Sequence, residues 1–158
     1  IGLKSVMSLM DFEHGEIKRL VEKWEGDRWR GEVLKRSTLM YYSEKLEIGE
    51  VKYFENDEAS VLMFRARTNT LSLNWRNSFM GGDVLCKLCD AGVEETLIHF
   101  LLECERLKNI RVEYGFDGDR AIGGVLLFDR ADAILMERSK GYLKTIWSER
   151  KKLLINNV

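Results

Sequence analysis

Cys86-Lys87-Leu88-Cys89, followed by His99 and Cys104, gathers all three cysteines and one of the two histidines of the 158-residue chain into a single short run. The spacing is C-x2-C-x9-H-x4-C. Zn2+ prefers four soft or borderline ligands in a tetrahedron, and two thiolates two residues apart grip it from one tight turn. The other two ligands lie in Thr96 to Cys104, whose pattern predicts a short amphipathic helix that carries His99 inward and ends near Cys104. Glu94, Glu95 and Thr96 supply acidic and capping groups where that helix begins. On an ideal helix, residues five apart are about 140° apart, so Cys104 is expected in a terminating last turn. Leu97, Phe100, Leu101 and Leu102 are expected to pack the site against the rest of the chain. The competing reading is three unrelated buried cysteines beside a core histidine, since free cysteine is often buried. A disulfide framework would leave one cysteine unpaired, and nothing else in the chain looks secreted.

Length fits one domain, or one domain plus a small metal-stapled lobe. No apolar run approaches membrane-spanning length, and Ile1-Gly2-Leu3-Lys4 has no signal-peptide pattern, so an intracellular, nuclear or cytoplasmic setting is expected. A start at Ile1 fits an internal fragment of a longer chain. A net charge of -1 and a pI near 6.2 argue against a wholesale polyanion-binding surface. The distribution is less neutral than the sum. Residues 61–82 hold Arg65, Arg67 and Arg76 with no acid, and residues 138–152 hold six bases against Glu149. Proline is absent, so helices run until glycine or polar residues stop them.

Ile17, Leu20, Val21 and Trp24 recur at one-face helical spacing, and Gly26-Asp27 either ends that helix or begins the next. Trp29 and Val33 start a second segment, and Ser37-Thr38 cap a third running to Gly49. The aromatics Trp24, Trp29, Tyr41, Tyr42, Tyr53 and Phe54 read as core more readily than as a base-stacking platform. Val51 to Phe54 suits a short extended piece. The next helix is expected from Glu58 to about Arg76, apolar at Ala59, Leu62, Ala66 and Leu73. Its opposite stripe is Arg65, Asn69, Ser72 and Arg76. Guanidinium groups and short amides on one face are what a helix needs to grip phosphates, although an ordinary solvated face has the same composition. Gly81-Gly82 breaks the helix ahead of the cysteines. Arg106, Lys108 and Arg111 follow them closely enough to extend a basic surface. The last helix begins near Asp129 or Asp132 and runs to about Leu154, with Gly141 as a point of bending. Leu143, Ile146, Trp147, Arg150 and Leu154 line one side of it and Lys140, Lys144 and Lys151 the other.

Other chemistry is excluded by what is missing. Asp117-Gly118-Asp119 lacks the remaining ligand positions of a calcium loop, and Gly123-Gly124 lacks the lysine of a phosphate loop. No nucleophile, base and orienting partner occur together. Four protein ligands would also close the metal's coordination shell, which ranks a metal hydrolase far below a structural site.

Leu62 to Leu73 (LMFRARTNTLSL) and Cys86 to Leu107 (CKLCDAGVEETLIHFLLECERL) together resemble the zinc-binding segment that follows the polymerase domain in reverse transcriptases of retrotransposons lacking long terminal repeats. The likeness extends more loosely to Trp29-Arg30, Ser37 to Tyr42 and Tyr142 to Trp147. It implies one structural Zn2+ on Cys86, Cys89, His99 and Cys104, and RNA or DNA as partner. No paired-aspartate turn of the polymerase kind occurs in the chain, so the likeness implies a C-terminal piece of a larger polypeptide or a descendant without the polymerase.

The expectation is therefore an all-α domain with a small Cys-Cys-His-Cys zinc knuckle. Its parts are an N-terminal helical segment (1–57), a basic helix (58–82), the knuckle (83–116) and a C-terminal helical segment (117–158), in one compact unit. The expected function is sequence-independent contact with nucleic-acid phosphates through Arg65, Arg67, Asn69, Arg76, Arg106, Lys108, Arg111, Lys140, Lys144 and Lys151, for target-primed reverse transcription. The alternative is a protein-interaction module whose docking surface the zinc shapes.

Overall fold

Leu62, Met63 and Ala66 put an apolar stripe on one side of a short helix, and the last helix presents Met136, Tyr142, Leu143 and Ile146 to meet it. The computed structural model describes residues 14–44, 55, 57–118, 122–127 and 132–156. Within these, five α-helices form: α1 (His14–Val33), α2 (Glu58–Arg67), α3 (Lys108–Tyr114), α4 (Ile122–Leu126) and α5 (Ala133–Asn156). Tighter 3-10 turns span Ser37–Glu44, Asn74–Met80 and Glu105–Leu107. The fold is all-α, and no strand forms among the described residues beyond one antiparallel bridge between Leu85 and Glu94. Helices α2 and α3 both pack on α5, and one apolar cluster runs from Tyr41 through Leu101 and Leu107 to Ile146. The knuckle therefore shares its core with the helices around it.

Helix boundaries follow side-chain chemistry. Asp57 caps α2, its Oδ1 accepting the amides of Ala59 and Ser60 at 2.8 and 3.0 Å, and Asp132 does the same for Ile134 ahead of α5. Helix α1 continues through Gly26 rather than dividing there. With no proline nearby, each interior glycine costs only about 1 kcal/mol of helix propensity. Its stripe of Leu20, Val21 and Trp24 is about half exposed instead of buried. Of the expected helix from Ser37, the described part is the 3-10 stretch to Glu44; the remainder to Gly49 and the extended piece Val51 to Phe54 fall outside the described residues.

The largest departure is at α2, which stops at Arg67 instead of reaching Arg76. Thr68 Oγ1 bonds the Phe64 carbonyl at 2.9 Å, and Asn69 turns left-handed at φ 51°, a conformation its short amide tolerates. Asn69 is buried, with Nδ2 directed at the Ser37 carbonyl and the Met40 sulfur. The break carries Leu71 and Leu73 into the core, so Arg65, Asn69, Ser72 and Arg76 do not share a helix face. Gly81, left-handed at φ 67°, closes the following 3-10 turn as the glycine pair suggests. In α5 Gly141 interrupts nothing. A Cβ there would lie 3.2 Å from the Tyr114 ring, so the glycine admits α3 close to α5.

Two electrostatic contacts lock the layers. Glu95, fully buried beside the knuckle, takes a two-pronged pair of bonds from Arg150 of α5, both 2.7 Å, and accepts the amide of Asn74 at 2.8 Å. Its place before the helical turn suggests a dipole-facing acid; burial and a guanidinium fork make it a cross-link instead. Lys140, expected on the outer face of α5, is buried, and its ammonium lies within 4 Å of Glu55, Asp57 and Glu137.

Removing one half of a buried pair strands the other charge, so Glu95→Ala is expected to cost about 3–5 kcal/mol, read from the urea midpoint. Glu95→Leu with Arg150→Met should recover much of that loss, and equal losses for the single and double variants would contradict this account. Asp57 titrates below the ordinary carboxylate range because it accepts bonds from the Ser60 hydroxyl and from the amides of Ser60 and Ala59, with Lys140 nearby. A depressed folded value means its contribution is full above the unfolded carboxylate range and is lost as pH falls through the folded value. Asp57→Ala should thus lower the melting temperature at pH 7, with the gap to the parent closing in strong acid.

Candidate metal centre

The Leu85–Glu94 bridge folds the segment into a hairpin, closed by Cys86 N–H to the Val93 carbonyl at 2.8 Å and Glu95 N–H to the Val84 carbonyl at 2.9 Å. Gly92 at φ 65° makes the return possible. Inside this loop the amides of Leu88 and Cys89 point at the Cys86 sulfur. Amide donors converging on a sulfur favour its thiolate, the form that binds metal.

The second half of the site departs from an ordinary helix in a way that solves the five-residue spacing. Leu97 and Ile98 begin a helical turn whose entry is fixed by Thr96, its Oγ1 accepting the His99 amide at 3.1 Å. His99–Glu103 then widen into a π turn, and Cys104 N–H donates to the His99 carbonyl at 2.7 Å. A wider turn brings residue i+5 back over residue i, so His99 and Cys104 meet on one side. Leu97, Phe100 and Leu101 are buried behind them, and Leu102 partly so.

The four ligand atoms all lie within 4.8 Å of one another. Cys86 Sγ to Cys104 Sγ is 4.0 Å and Cys89 Sγ to His99 Nε2 is 3.5 Å. With metal–sulfur bonds of about 2.3 Å and a metal–nitrogen bond of about 2.0–2.1 Å, a regular tetrahedron has S···S edges of about 3.8 Å and S···N edges of about 3.6 Å. These residues are thus positioned to hold a metal ion. Cys86, His99 and Cys104 are buried, and Cys89 is partly exposed. On the far side of the imidazole, Nδ1 lies 3.9 Å from the carboxylate of Glu103, four residues on, beyond direct hydrogen-bond distance.

The two close sulfurs divide one proton between them. The Cys104 thiol, by donating to Cys86, holds Cys86 far below the usual thiol range, helped by His99 and the two amides. The resulting thiolate and burial push Cys104 above that range. A cation at the centre takes the place of that proton and lets all three sulfurs ionise together.

Of the ten residues expected to meet phosphates, the structure buries four. Arg67 donates to the carbonyls of Leu126 and Leu127 at the end of α4, and Arg111 donates to the Cys104 carbonyl at 2.7 Å. Asn69 and Lys140 are buried as described. Arginine stems fill core space while their forks satisfy main-chain carbonyls, which no composition count distinguishes from a surface role. Arg65, Arg106, Lys108, Lys144 and Lys151 stay exposed, with Lys108 near Glu105 and Lys151 near Glu58. Arg76 is half-buried, lying over the Trp75 ring and donating to the Asn69 carbonyl.

One equivalent of Co2+ per chain should give the visible absorption of a tetrahedral thiolate site. Cys86→Ser should lower its affinity by at least an order of magnitude, and binding should fall as pH drops because protons compete for the sulfurs. A featureless spectrum for the reduced parent chain would exclude the site.

Among the described residues no helix is long and apolar enough to cross a membrane. The comparisons find no family model, no curated protein and no solved structure that matches the chain, so its function is argued from the geometry of the four ligands and the surface around them.

Proposed function

We propose that the cluster holds one structural zinc ion and that the domain it orders contacts the phosphate backbone of RNA or DNA. The observation that carries the zinc is the pair of tetrahedral edges set by three sulfurs and one imidazole nitrogen. A tetrahedral sulfur-rich shell with one nitrogen suits Zn2+ better than the oxygen-loving or square-planar cations. Four protein ligands leave no position for an activated water, so the ion's work is to hold the hairpin against the π turn.

The nucleic-acid role rests on the likeness of Cys86 to Leu107 to the segment after the polymerase domain in reverse transcriptases of retrotransposons lacking long terminal repeats. Arg65, Arg106, Lys108, Lys144 and Lys151 support it as the exposed members of the expected set. Lys87 and Arg106 flank an open cleft at the knuckle beside Leu88 and Cys89, with Asp90 and Glu105 also on its walls. Mixed charge there fits modest, salt-sensitive affinity and positioning within a larger polypeptide or complex during target-primed reverse transcription.

A zinc-shaped protein-interaction module is the second reading, favoured by the half-exposed stripe Leu20, Val21 and Trp24 and by Phe79 and Met80, 73% and 91% exposed. Salt decides between them. Binding of a fluorescent single strand to the zinc-loaded chain should weaken steeply between about 50 and 200 mM salt. Arg65→Ala and Arg106→Ala should each reduce the slope of log K against log salt by about one. No retention of single- or double-stranded RNA or DNA at the lower salt would discard the nucleic-acid reading and leave the module.

A further inference from the structure

Four cations are buried among the described residues: Arg67, Arg111, Lys140 and Arg150. Three have an evident source of negative potential. Arg150 faces the Glu95 carboxylate, Lys140 lies among Glu55, Asp57 and Glu137, and Arg67 receives the carbonyl end of α4. Arg111 is the exception. It is 2% exposed, no carboxylate pairs with it among the described residues, and its buried Nε has no hydrogen-bond partner. Its Nη1 donates to the carbonyl of Cys104, a residue of the metal cluster, at 2.7 Å. An uncompensated charge in a core costs several kcal/mol, so a guanidinium in this place calls for an anion close by.

We propose that Arg111 is the counter-ion of the metal centre and sets the charge that the centre must carry. A divalent ion bound by three thiolates and a neutral imidazole has one net negative charge, and a single guanidinium balances it. The inference rests on the zinc reading and deepens it. Arg111 touches no metal; it acts through its charge, which the bond from Nη1 to the Cys104 carbonyl places beside a ligand of the centre. Its charge favours the three-thiolate, divalent form of the site over a two-thiolate, neutral one. The same role explains why this arginine points inward, although it is seven residues beyond Cys104 on a helix with open faces.

The test is a double-mutant cycle on zinc affinity, measured in the full chain by competition with a chromophoric chelator. Cobalt spectra confirm a tetrahedral site in each variant. Arg111→Met in the parent should weaken zinc about 10- to 100-fold, the usual range for groups that support metal ligands. Cys89→His, at the partly exposed ligand, makes the centre two-thiolate and neutral. In that background Arg111→Met should change zinc affinity by less than about threefold. Arg111→Lys, which keeps the charge and loses the fork, should retain most of the parent affinity. Equal losses in the two backgrounds would reduce Arg111 to packing and overturn the proposal, as would an Arg111→Lys variant no better than Arg111→Met. A parent chain that takes up no zinc would overturn the metal reading along with it.

Discussion

Three sulfurs and an imidazole held within 4.8 Å of one another cannot all be in their metal-binding form without a cation between them. Everything near the site follows from accommodating that demand. Amides of Leu88 and Cys89 converge on one sulfur, the Cys86 and Cys104 sulfurs lie 4.0 Å apart, and a guanidinium lies against the Cys104 main chain. Behind the ligands, Leu97, Phe100, Leu101 and Leu107 keep water away from the inner side. The metal site and the apolar core are therefore two faces of the same wall, and neither is complete without the other.

Much of this was legible in the chain because the relevant chemistry is local. A C-x2-C pair followed by His99 and Cys104 marks a set of candidate metal ligands that the fold does bring together, and Gly81 and Asp132 mark element ends by mechanisms that need no tertiary context. Three features escaped because their causes are not local. Asn69 breaks α2 since its side chain finds Ser37 and Met40 in a distant turn. Arg67, Arg111 and Lys140 look like surface cations until the carbonyls and carboxylates that receive them are brought close by folding. The π turn at His99–Glu103 was only half visible: the spacing required an irregular end, but the i to i+5 bond that makes it appears only in three dimensions.

Those inward cations also reframe the charge pattern. A segment rich in arginine and free of acids suggests a phosphate-gripping face, yet here its members have different occupations. Arg67 closes α4, Arg76 lies over Trp75, and Arg65 alone of the three is exposed. What remains outside is a scattered set of bases interspersed with Glu58, Glu105 and Asp90. Among the described residues these bases do not form the single helical stripe that their spacing suggests.

The bond between Glu95 and Arg150 joins residues 55 positions apart, and Tyr142 of α5 donates to the Leu101 carbonyl in the turn that presents His99. The cysteine–histidine run is consequently not a portable module. Excised as a peptide, or grafted onto another scaffold, it would bring its four ligands but leave behind the arginine that neutralises its buried glutamate and the hydroxyl that occupies its carbonyl. The smallest autonomous version of this site has to extend through the last helix at least to Arg150, so the minimal unit is set by where the supporting charges lie rather than by where the metal ligands end.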